Sequence, residues 1–464
     1  MKLYAAHLDF EPVAQEFSIE RDFAPELHEA ARAAVDRHAS DRRDARDIPF
    51  VTIDPVGSMD LDQAVHIAAE GDGYLVHYAI ADVAAFIEPG SPLETESFHR
   101  GQTIYLPDGP ARLHPPALSE GSASLLPDVD RPAVLWTFHL DSAGEVTDFT
   151  VERALVCSQA RLDYEGVHDD LVAGRLHSSI ALLPTVGQLR QASSLRREAI
   201  NLRVPSQRVS EDVDGRYELV TEPRFEVMDY NSEISLLTGM CAGTLIATHG
   251  AGLLRTLPAA TADAERNFRA EVAALGFDMG DRSIGEFLQG LDADSPRGMA
   301  AMREAQYLLR GAGYAWLPDD APEVHAGIGG HYAHVTAPLR RLADRFATEV
   351  CLALSAGTEI PAWVTDRSAD VKESMKRTGA LASQVDKACL KLTEATVLAP
   401  WVGTNFESVI LDDDVERGTA RAFVAAPPLI ANVIGAPEQG SETTLSLVRA
   451  DVAARDVAFA WPAD

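Results

Sequence analysis

Three aspartates stand within nine residues near the start of the chain, and their spacing restricts what this segment can form. The apolar run 50–53 leads directly into Asp54, and Asp60 and Asp62 follow after a Pro-Val-Gly loop. Carboxylates a few ångströms apart raise each other's pKa unless a cation neutralises them. On extended backbone, Asp60 and Asp62 would share one face because side chains alternate. The pattern predicts a site for a hard cation such as Mg²⁺, with Asp54 folded back towards the other two.

Two other interpretations of this segment have to be weighed. An Asp-rich surface loop is common and stays open as an alternative. A calcium loop counted from Asp60 would need Gly at its sixth position and Glu at its twelfth. The chain has Val65 and Gly71 there, which excludes the calcium loop. The strand-like run before Asp54 favours the metal site.

The aspartates open a series of motifs that follow one another along the chain. These motifs occupy residues 52–64, 78–93, 100–108, 118–125 and 327–341, and the last of them ends in Pro-Leu-Arg-Arg. In sequence and order they resemble the ribonuclease II (RNB) family of exoribonucleases. The resemblance runs from about residue 47 to about residue 395.

The predicted organisation is α+β and has three parts. Residues 1–46 are predicted to form a small helical segment, and a fragmentary helix-turn-helix is the best interpretation of it. Its apolar positions from Leu27 to Val35 have helical spacing. Residues 47–395 form the RNB catalytic domain, with strands first and helices packed around them. Residues 396–464 form an OB-type barrel, the usual C-terminal RNA-binding module of the family. Family members commonly carry two cold-shock barrels first, so the resemblance is to a short form that lacks them.

The apolar periodicity predicts individual strands and helices. In the catalytic part, strands are predicted over 50–54, 74–79 and 134–140, and helices over 186–202, 232–249, 302–312, 339–355 and 371–397. In the tail, strands are predicted over 407–411, 419–424, 443–447 and 457–461.

The resemblance implies a role for each residue of the acidic motif. Asp54, Asp60 and Asp62 match three of the family's four catalytic aspartates, and Gln63 stands where the fourth often lies. The implied metal ligands are these four residues, for Mg²⁺ or alternatively Mn²⁺. Asp62 and Arg340 are the implied catalytic residues, because the planar guanidinium suits a phosphate oxygen.

Tyr105, Glu233 and Arg341 are the residues that the resemblance implies as RNA contacts. Tyr105 matches an aromatic that stacks on terminal bases, and its alternative is a core tyrosine. Glu233 matches an acid at the RNA end, with a surface residue as the alternative. Arg341 could instead pair with an acid on its own helix. Leu202 stands near the family's second aromatic and cannot stack equally well.

Composition limits the classes of function. The 464 residues carry a net charge of −31, which is unusual for a protein that binds nucleic acid, and five of the 40 basic residues are lysines. Any RNA path must therefore be a narrow basic channel. No signal peptide or long apolar run is evident, which predicts a cytoplasmic monomer without membrane contact. The four scattered cysteines argue against a zinc site.

The function that the family resemblance implies is metal-dependent, hydrolytic 3′-to-5′ exoribonuclease activity. Its substrate would be single-stranded RNA with a free 3′ end, and its products nucleoside 5′-monophosphates. One alternative is a catalytically impaired RNB-fold protein that only binds RNA, which Gln63, Leu202 and Cys389 favour. A third interpretation is a metal-dependent hydrolase that acts on a small phosphoester.

Overall fold

The computed structural model describes residues 4–5, 8–200, 202, 207–211, 217–221, 224–292 and 295–462. The α-helices are α1 (Glu11–Glu16), α2 (Pro25–Ala33), α3 (Pro92–Arg100), α4 (Tyr164–Val172), α5 (Leu183–Arg196), α6 (Glu226–His249), α7 (Ala262–Ala274), α8 (Ile284–Gln289), α9 (Pro296–Ala305), α10 (Leu342–Ala356), α11 (Ala362–Thr365) and α12 (Ser368–Leu398). The strands are β1 (Tyr4–Ala5), β2 (Arg43–Asp44), β3 (Phe50–Asp54), β4 (Gln63–Glu70), β5 (Gly73–Ala81), β6 (Ile104–Leu106), β7 (Gly109–Ala111), β8 (Asp130–Leu140), β9 (Val146–Asp163), β10 (Gln207–Glu211), β11 (Tyr217–Thr221), β12 (Gly252–Thr256), β13 (Gly313–Leu317), β14 (Asn405–Asp414), β15 (Thr419–Ala425), β16 (Pro428–Ile434), β17 (Glu442–Asp451) and β18 (Asp456–Ala460).

A sheet of order β2-β9-β3-β4-β5-β8 forms the centre of the larger part of the fold, and β8 also pairs with β9. The 18 residues of β9 make this possible, because its first part pairs with β8 and its end runs parallel to β3. Both faces of β5 are buried. Tyr78 packs in one cluster with residues of α6 and α10, whereas Ala79 packs in another with Leu27 of α2. The strands therefore carry long apolar runs instead of strict alternation.

The C-terminal strands close into a barrel in the order β14-β15-β16-β18-β17. This confirms the predicted OB-type barrel. Its four arginines each contact an acidic side chain: Arg417 with Asp414, Arg421 with Asp412, Arg449 with Asp456 and Arg455 with Glu16. The barrel therefore has little unpaired positive charge to offer a polyanion.

The α+β fold class is confirmed, and the strongly periodic elements lie near their predicted bounds. The observed strand β3 has the predicted bounds, 50–54, and α6 ends at His249, as predicted. The bounds of the helix expected over 302–312 are wrong, because α9 runs from Pro296 to Ala305. Several strands, among them β4, β9 and β16, were not predicted. No helix in the described part of the chain combines the length and hydropathy needed to cross a membrane.

The N-terminal segment has no core of its own in the described residues. Phe10 and Val13 of the α1 region pack in one cluster with residues of α12 and the barrel. Leu27 and Ala31 of α2 pack in a different cluster, with residues of the central sheet. Val35, predicted on the apolar face of this helix, is 71% exposed. The two described helices of this segment therefore pack on different parts of the fold, and α12 crosses the predicted boundary at 395. The predicted division into domains stays a prediction.

Replacement of Phe10 by Ala should destabilise the whole chain if the N-terminal segment is integral to the fold. Phe10 is fully buried and meets the ring of Tyr217 edge-on at 5.4 Å between centroids. Truncating a buried Phe typically costs about 3 kcal/mol or more, which we expect to measure as a lower free energy of unfolding in urea. The exposed Val35→Ala exchange is the control and should change it by less than about 0.5 kcal/mol. Equal stability of the two variants would contradict the packing argument.

Candidate active site

The three aspartates lie between two neighbouring strands of the central sheet. β3 ends at Asp54, a turn follows, and β4 begins directly after Asp62. Asp54 has a buried oxygen, Oδ2, without a hydrogen-bond partner. Burial, and then the nearby Asp60 carboxylate, raise the pKa of Asp54 to about 7. Burial also raises the pKa of Asp60 and brings the pKa of Asp62 to about 8.

Asp62 connects this turn to a distant part of the chain. Its Oδ1 accepts a hydrogen bond of 2.8 Å from the backbone N–H of Leu339, and its Oδ2 lies 3.6 Å from Nε of Arg340. Asp62 is buried, whereas the Arg340 side chain remains 47% exposed. The structure therefore brings the two residues predicted as catalytic together, with the arginine accessible from outside.

Gln63 is held by three protein groups. Its Oε1 accepts hydrogen bonds from the hydroxyls of Tyr78, at 2.5 Å, and Ser235, at 3.3 Å, and its Nε2 donates to the carbonyl of Thr336 at 2.6 Å. Because the Thr336 carbonyl can only accept, this contact requires a donor such as an amide. The Tyr78 and Ser235 hydroxyls also contact each other at 2.7 Å, so their two protons are shared among three contacts. Metal ligation by Gln63 would require the contacts of its Oε1 to be exchanged.

The segment that carries Arg340 is fixed by backbone contacts with the end of α3. The N–H of Thr103 donates to the carbonyl of Arg340 at 3.0 Å, and the N–H of Leu342 donates to the carbonyl of Gly101 at 2.9 Å. Gly101 has φ of +64°, and a Cβ there would stand 2.5 Å from Oγ1 of Thr378. Only glycine fits this position without displacing α12. A buried histidine, His114, hydrogen-bonds the backbone of the same segment at Pro338.

Tyr105 lies on β6 beside Arg340. The nearby Arg340 guanidinium partly offsets the rise that burial causes in the pKa of Tyr105, and 53% of the residue is exposed. The interpretation of Tyr105 as a core tyrosine is therefore wrong. An exposed aromatic next to a half-exposed arginine can offer a base a stacking surface and a phosphate a cation.

Arg341 and Glu233 are engaged within the protein. Arg341 forms a bidentate ion pair with Asp344, with hydrogen bonds of 2.8 and 2.9 Å. This is the pairing with an acid on its own helix that the sequence offered as the alternative to an RNA contact. Glu233 is buried and faces Arg190 and Arg197 of the α5 region, and burial raises its pKa to about 7. The surface interpretation of Glu233 is wrong, and an RNA contact by either residue stays a prediction.

Two further residues adjoin Asp54 that the sequence did not identify. Tyr164 follows Asp163, which is the partner of Asp54 in the parallel β3–β9 pairing. Its hydroxyl accepts a hydrogen bond from Asn231 of α6 at 3.2 Å. Asn231 and Ser235 are four residues apart on α6, and both contact groups beside the acidic turn. No local pattern could identify them, because Tyr164 and α6 reach the site only in the folded chain.

The chemistry of the aspartates fits a hard cation. All the available donors are carboxylate oxygens, and one of them is buried without a partner. Burial raises all three pKa values, although the positive charge of Arg340 partly offsets the shift. In the described part of the chain, no three His, Cys, Asp or Glu side chains are gathered closely enough to hold one ion as they stand. Binding would therefore draw the carboxylates together.

Comparison with known proteins assigns the chain to a family. Residues 42–352 match the RNB domain, and residues 404–461 match the RNase II-type exonuclease C-terminal S1 domain. The first match covers more than half of the chain, so the chain belongs to the RNB family, as its motifs predicted. No cold-shock domain is among these matches.

Relatives and solved structures agree with this assignment. Ribonuclease R of Escherichia coli (strain K12) is 29% identical in an alignment of 322 positions that covers 65% of this chain and 39% of that protein. The Arabidopsis thaliana protein named inactive exonuclease DIS3L2 is 28% identical in an alignment of 347 positions that covers 65% of this chain and 32% of that protein. The structure of Mycoplasma genitalium RNase R in complex with ribose methylated single-stranded RNA has a TM-score of 0.86 and 17% identity, and the match covers 97% of this chain and 77% of that one. At this identity it shows the fold alone. The chain spans about two fifths of the E. coli relative.

Exchange of Asp54 for Asn should stabilise the cation-free protein most at high pH. The pKa of Asp54 is raised from 3.8 to about 7, so the folded state holds the proton more tightly than the unfolded state. The stability that the Asp54 carboxyl group contributes is therefore fully present below pH 4 and is lost as the pH rises through 7. In urea unfolding with a chelator, the stability gained by the variant should be larger at pH 8 than at pH 5, by about 2–3 kcal/mol.

The exposed turn residue Asp72 gives the matched control for this experiment, because Asp72→Asn removes a solvated carboxyl group. Its effect on the free energy of unfolding should be the same at both pH values. A gain for Asp54→Asn that does not change with pH would show that the Asp54 carboxyl group titrates normally.

Proposed function

We propose that the chain is a metal-dependent exoribonuclease that hydrolyses single-stranded RNA from a free 3′ end and releases nucleoside 5′-monophosphates. The observation that carries this proposal is the approach of Asp62 and Arg340, with the arginine exposed and the carboxylate buried. Membership of the RNB family and the RNA-bound state of the Mycoplasma genitalium structure support it.

Arg340 is proposed to bind an oxygen of the scissile phosphate. Its guanidinium has one edge near Asp62, which orients it, and another portion accessible to a ligand. A fixed cation that meets negative charge as it develops stabilises the transition state more than the bound substrate. The backbone contacts of the segment with the end of α3 hold this cation in place.

Asp54, Asp60 and Asp62 are proposed to hold Mg²⁺, with Mn²⁺ as a substitute. A cation bound there would supply an activated water and neutralise phosphoryl oxygens. Gln63 is proposed as an outer residue of this site, since its amide is engaged with Tyr78, Ser235 and Thr336. The protein would position the three carboxylates in a partly buried turn, where a bound cation would take the place of solvating water.

Tyr105 is proposed to stack on a base near the 3′ end. Stacking accepts every base, as an enzyme that degrades RNA of any sequence requires. Glu233 is buried beside Arg190 and Arg197, and two nitrogens of Arg341 are engaged with Asp344, so both are less available to RNA than Tyr105 and Arg340. The proposed substrate contacts therefore rest on Tyr105 and Arg340.

The test is digestion of a 5′-labelled single-stranded RNA of about thirty nucleotides, longer than a few OB-type footprints. With Mg²⁺, we expect a ladder that shortens from the 3′ end, and its loss with a chelator or in Asp62→Asn. The Asn oxygen can still accept from Leu339, so this variant should keep its fold. Asp72→Asn is the control and should remain active. Internal cleavage, or activity that survives both treatments, would overturn the proposal.

The second candidate is an RNA-binding protein without nuclease activity. Two observations favour it: an amide stands at the fourth acidic position, and one relative is named an inactive exonuclease. The same experiment separates the two functions. RNA that is shifted on a gel and remains intact with both Mg²⁺ and Mn²⁺ would support the binding protein.

Replacement of Arg340 by Ala should reduce kcat by about 100-fold or more, the usual effect of removing one transition-state contact. RNA affinity should change by much less, because the contact is proposed to strengthen in the transition state. The measurement is kcat and the Kd for RNA in parallel. Arg175→Ala, which removes an arginine paired with Asp170 on the surface, is the control and should leave both unchanged. Equal losses in kcat and affinity would assign Arg340 to binding alone.

A further inference from the structure

A cavity of about 660 Å³ lies between the 258–310 region and the barrel. None of the residues of the candidate active site lines it. Its wall combines apolar residues, such as Pro258 and Leu308, with charged residues, which are Glu271, Glu304, Arg310 and Arg421. Pockets for small organic molecules are typically of this size and have a few polar groups in an apolar wall.

The cavity contains a buried carboxylate that lacks a donor. Glu304 is 2% exposed, and its Oε1 has no hydrogen-bond partner. The nearest cation, the guanidinium of Arg421, is 3.6 Å from this oxygen and is already paired with Asp412. Burial raises the pKa of Glu304 to about 7. A buried polar atom without a partner is costly, so a ligand that donates hydrogen bonds would be stabilised here.

An exposed aromatic ring lies at the same cavity. Tyr307 is 42% exposed, and its hydroxyl accepts a hydrogen bond of 3.0 Å from Arg421. The guanidinium of Arg310 covers the ring at 4.1 Å from its centroid. Both residues line the cavity. This pair offers flat surfaces against which a heterocycle can stack.

We propose that this cavity binds a guanine base, with its Watson–Crick edge on Glu304 and its ring against the Tyr307–Arg310 pair. Guanine carries two adjacent donors, N1–H and the N2 amino group, which match the two oxygens of one carboxylate. Adenine and cytosine place an acceptor beside their amino group, and uracil has one donor between two acceptors. These three bases would each direct an oxygen or nitrogen lone pair at the carboxylate, so the site selects guanine.

The guanine could belong to a free guanosine nucleotide or to RNA, and the site does not depend on the proposed nuclease activity. The first experiment measures binding of GMP, AMP, CMP, UMP and IMP by calorimetry. We expect GMP to bind at least tenfold more tightly than AMP, CMP or UMP. IMP, which lacks the N2 amino group, should fall between them, because it makes one of the two hydrogen bonds.

Variants test whether Glu304 causes the preference for guanine. Glu304→Gln keeps the shape but offers one acceptor and a competing donor, so the preference for GMP should fall about tenfold, as expected for a lost charged hydrogen bond. Tyr307→Ala should weaken all nucleotides and leave the preference for GMP. Glu265→Gln, an exposed acid on α7 outside the cavity, is the control. Tyr307 is exposed, so Tyr307→Ala should fold even if Glu304→Gln does not, and it then still tests whether nucleotides bind in this cavity.

A second measurement separates the two sources of guanine. Six-nucleotide RNAs with one guanine or none are compared in the presence of a chelator, and a gel verifies that they stay intact. A Glu304-dependent preference with RNA and not with GMP would assign the site to guanine within RNA, and a preference with GMP would assign it to free nucleotides. Absence of a Glu304-dependent preference for guanine in both assays would overturn the proposal.

Discussion

One buried hydrogen bond connects the two halves of the candidate site. The carboxylate of Asp62 accepts from the N–H of Leu339, although 277 residues separate them in the chain. Gln63 binds the carbonyl of Thr336 in the same segment, and Asp344 accepts from the N–H of Ala337. Since lost bonds of this kind leave buried polar groups unpaired, the acidic turn and the Arg340 segment must adopt their positions together.

Local sequence patterns predicted much of the fold. The apolar run before Asp54 and the periodicity of α6 predicted these elements, because the period of a buried face is visible in the sequence. β16 was missed since it begins after Pro427, and prolines are typical of turns. The helix expected over 302–312 ends at Ala305, and the residues from Gly313 onward pair with β12 as β13. Strand pairing of this kind depends on a partner remote in sequence.

The candidate site was predictable to the extent that its residues are close in the chain or carry a family motif. Asp54, Asp60 and Asp62 belong to one turn, so their proximity followed from their spacing. The surroundings of Gln63 did not, because Tyr78, Ser235 and Thr336 come from three different segments. Whether a carboxylate is buried, and so whether its pKa rises, also depends on packing that no local pattern contains.

The amide of Gln63 changes the electrostatics of the acidic turn in a defined way. A fourth carboxylate would add like charge to three groups whose pKa values are already raised. It would also be unable to donate to the Thr336 carbonyl, which the amide does at 2.6 Å. Gln63 therefore lowers the charge repulsion of the turn and adds a bond to the segment that carries Arg340. The cost is one anionic ligand, so affinity for a divalent cation must come from the remaining three carboxylates.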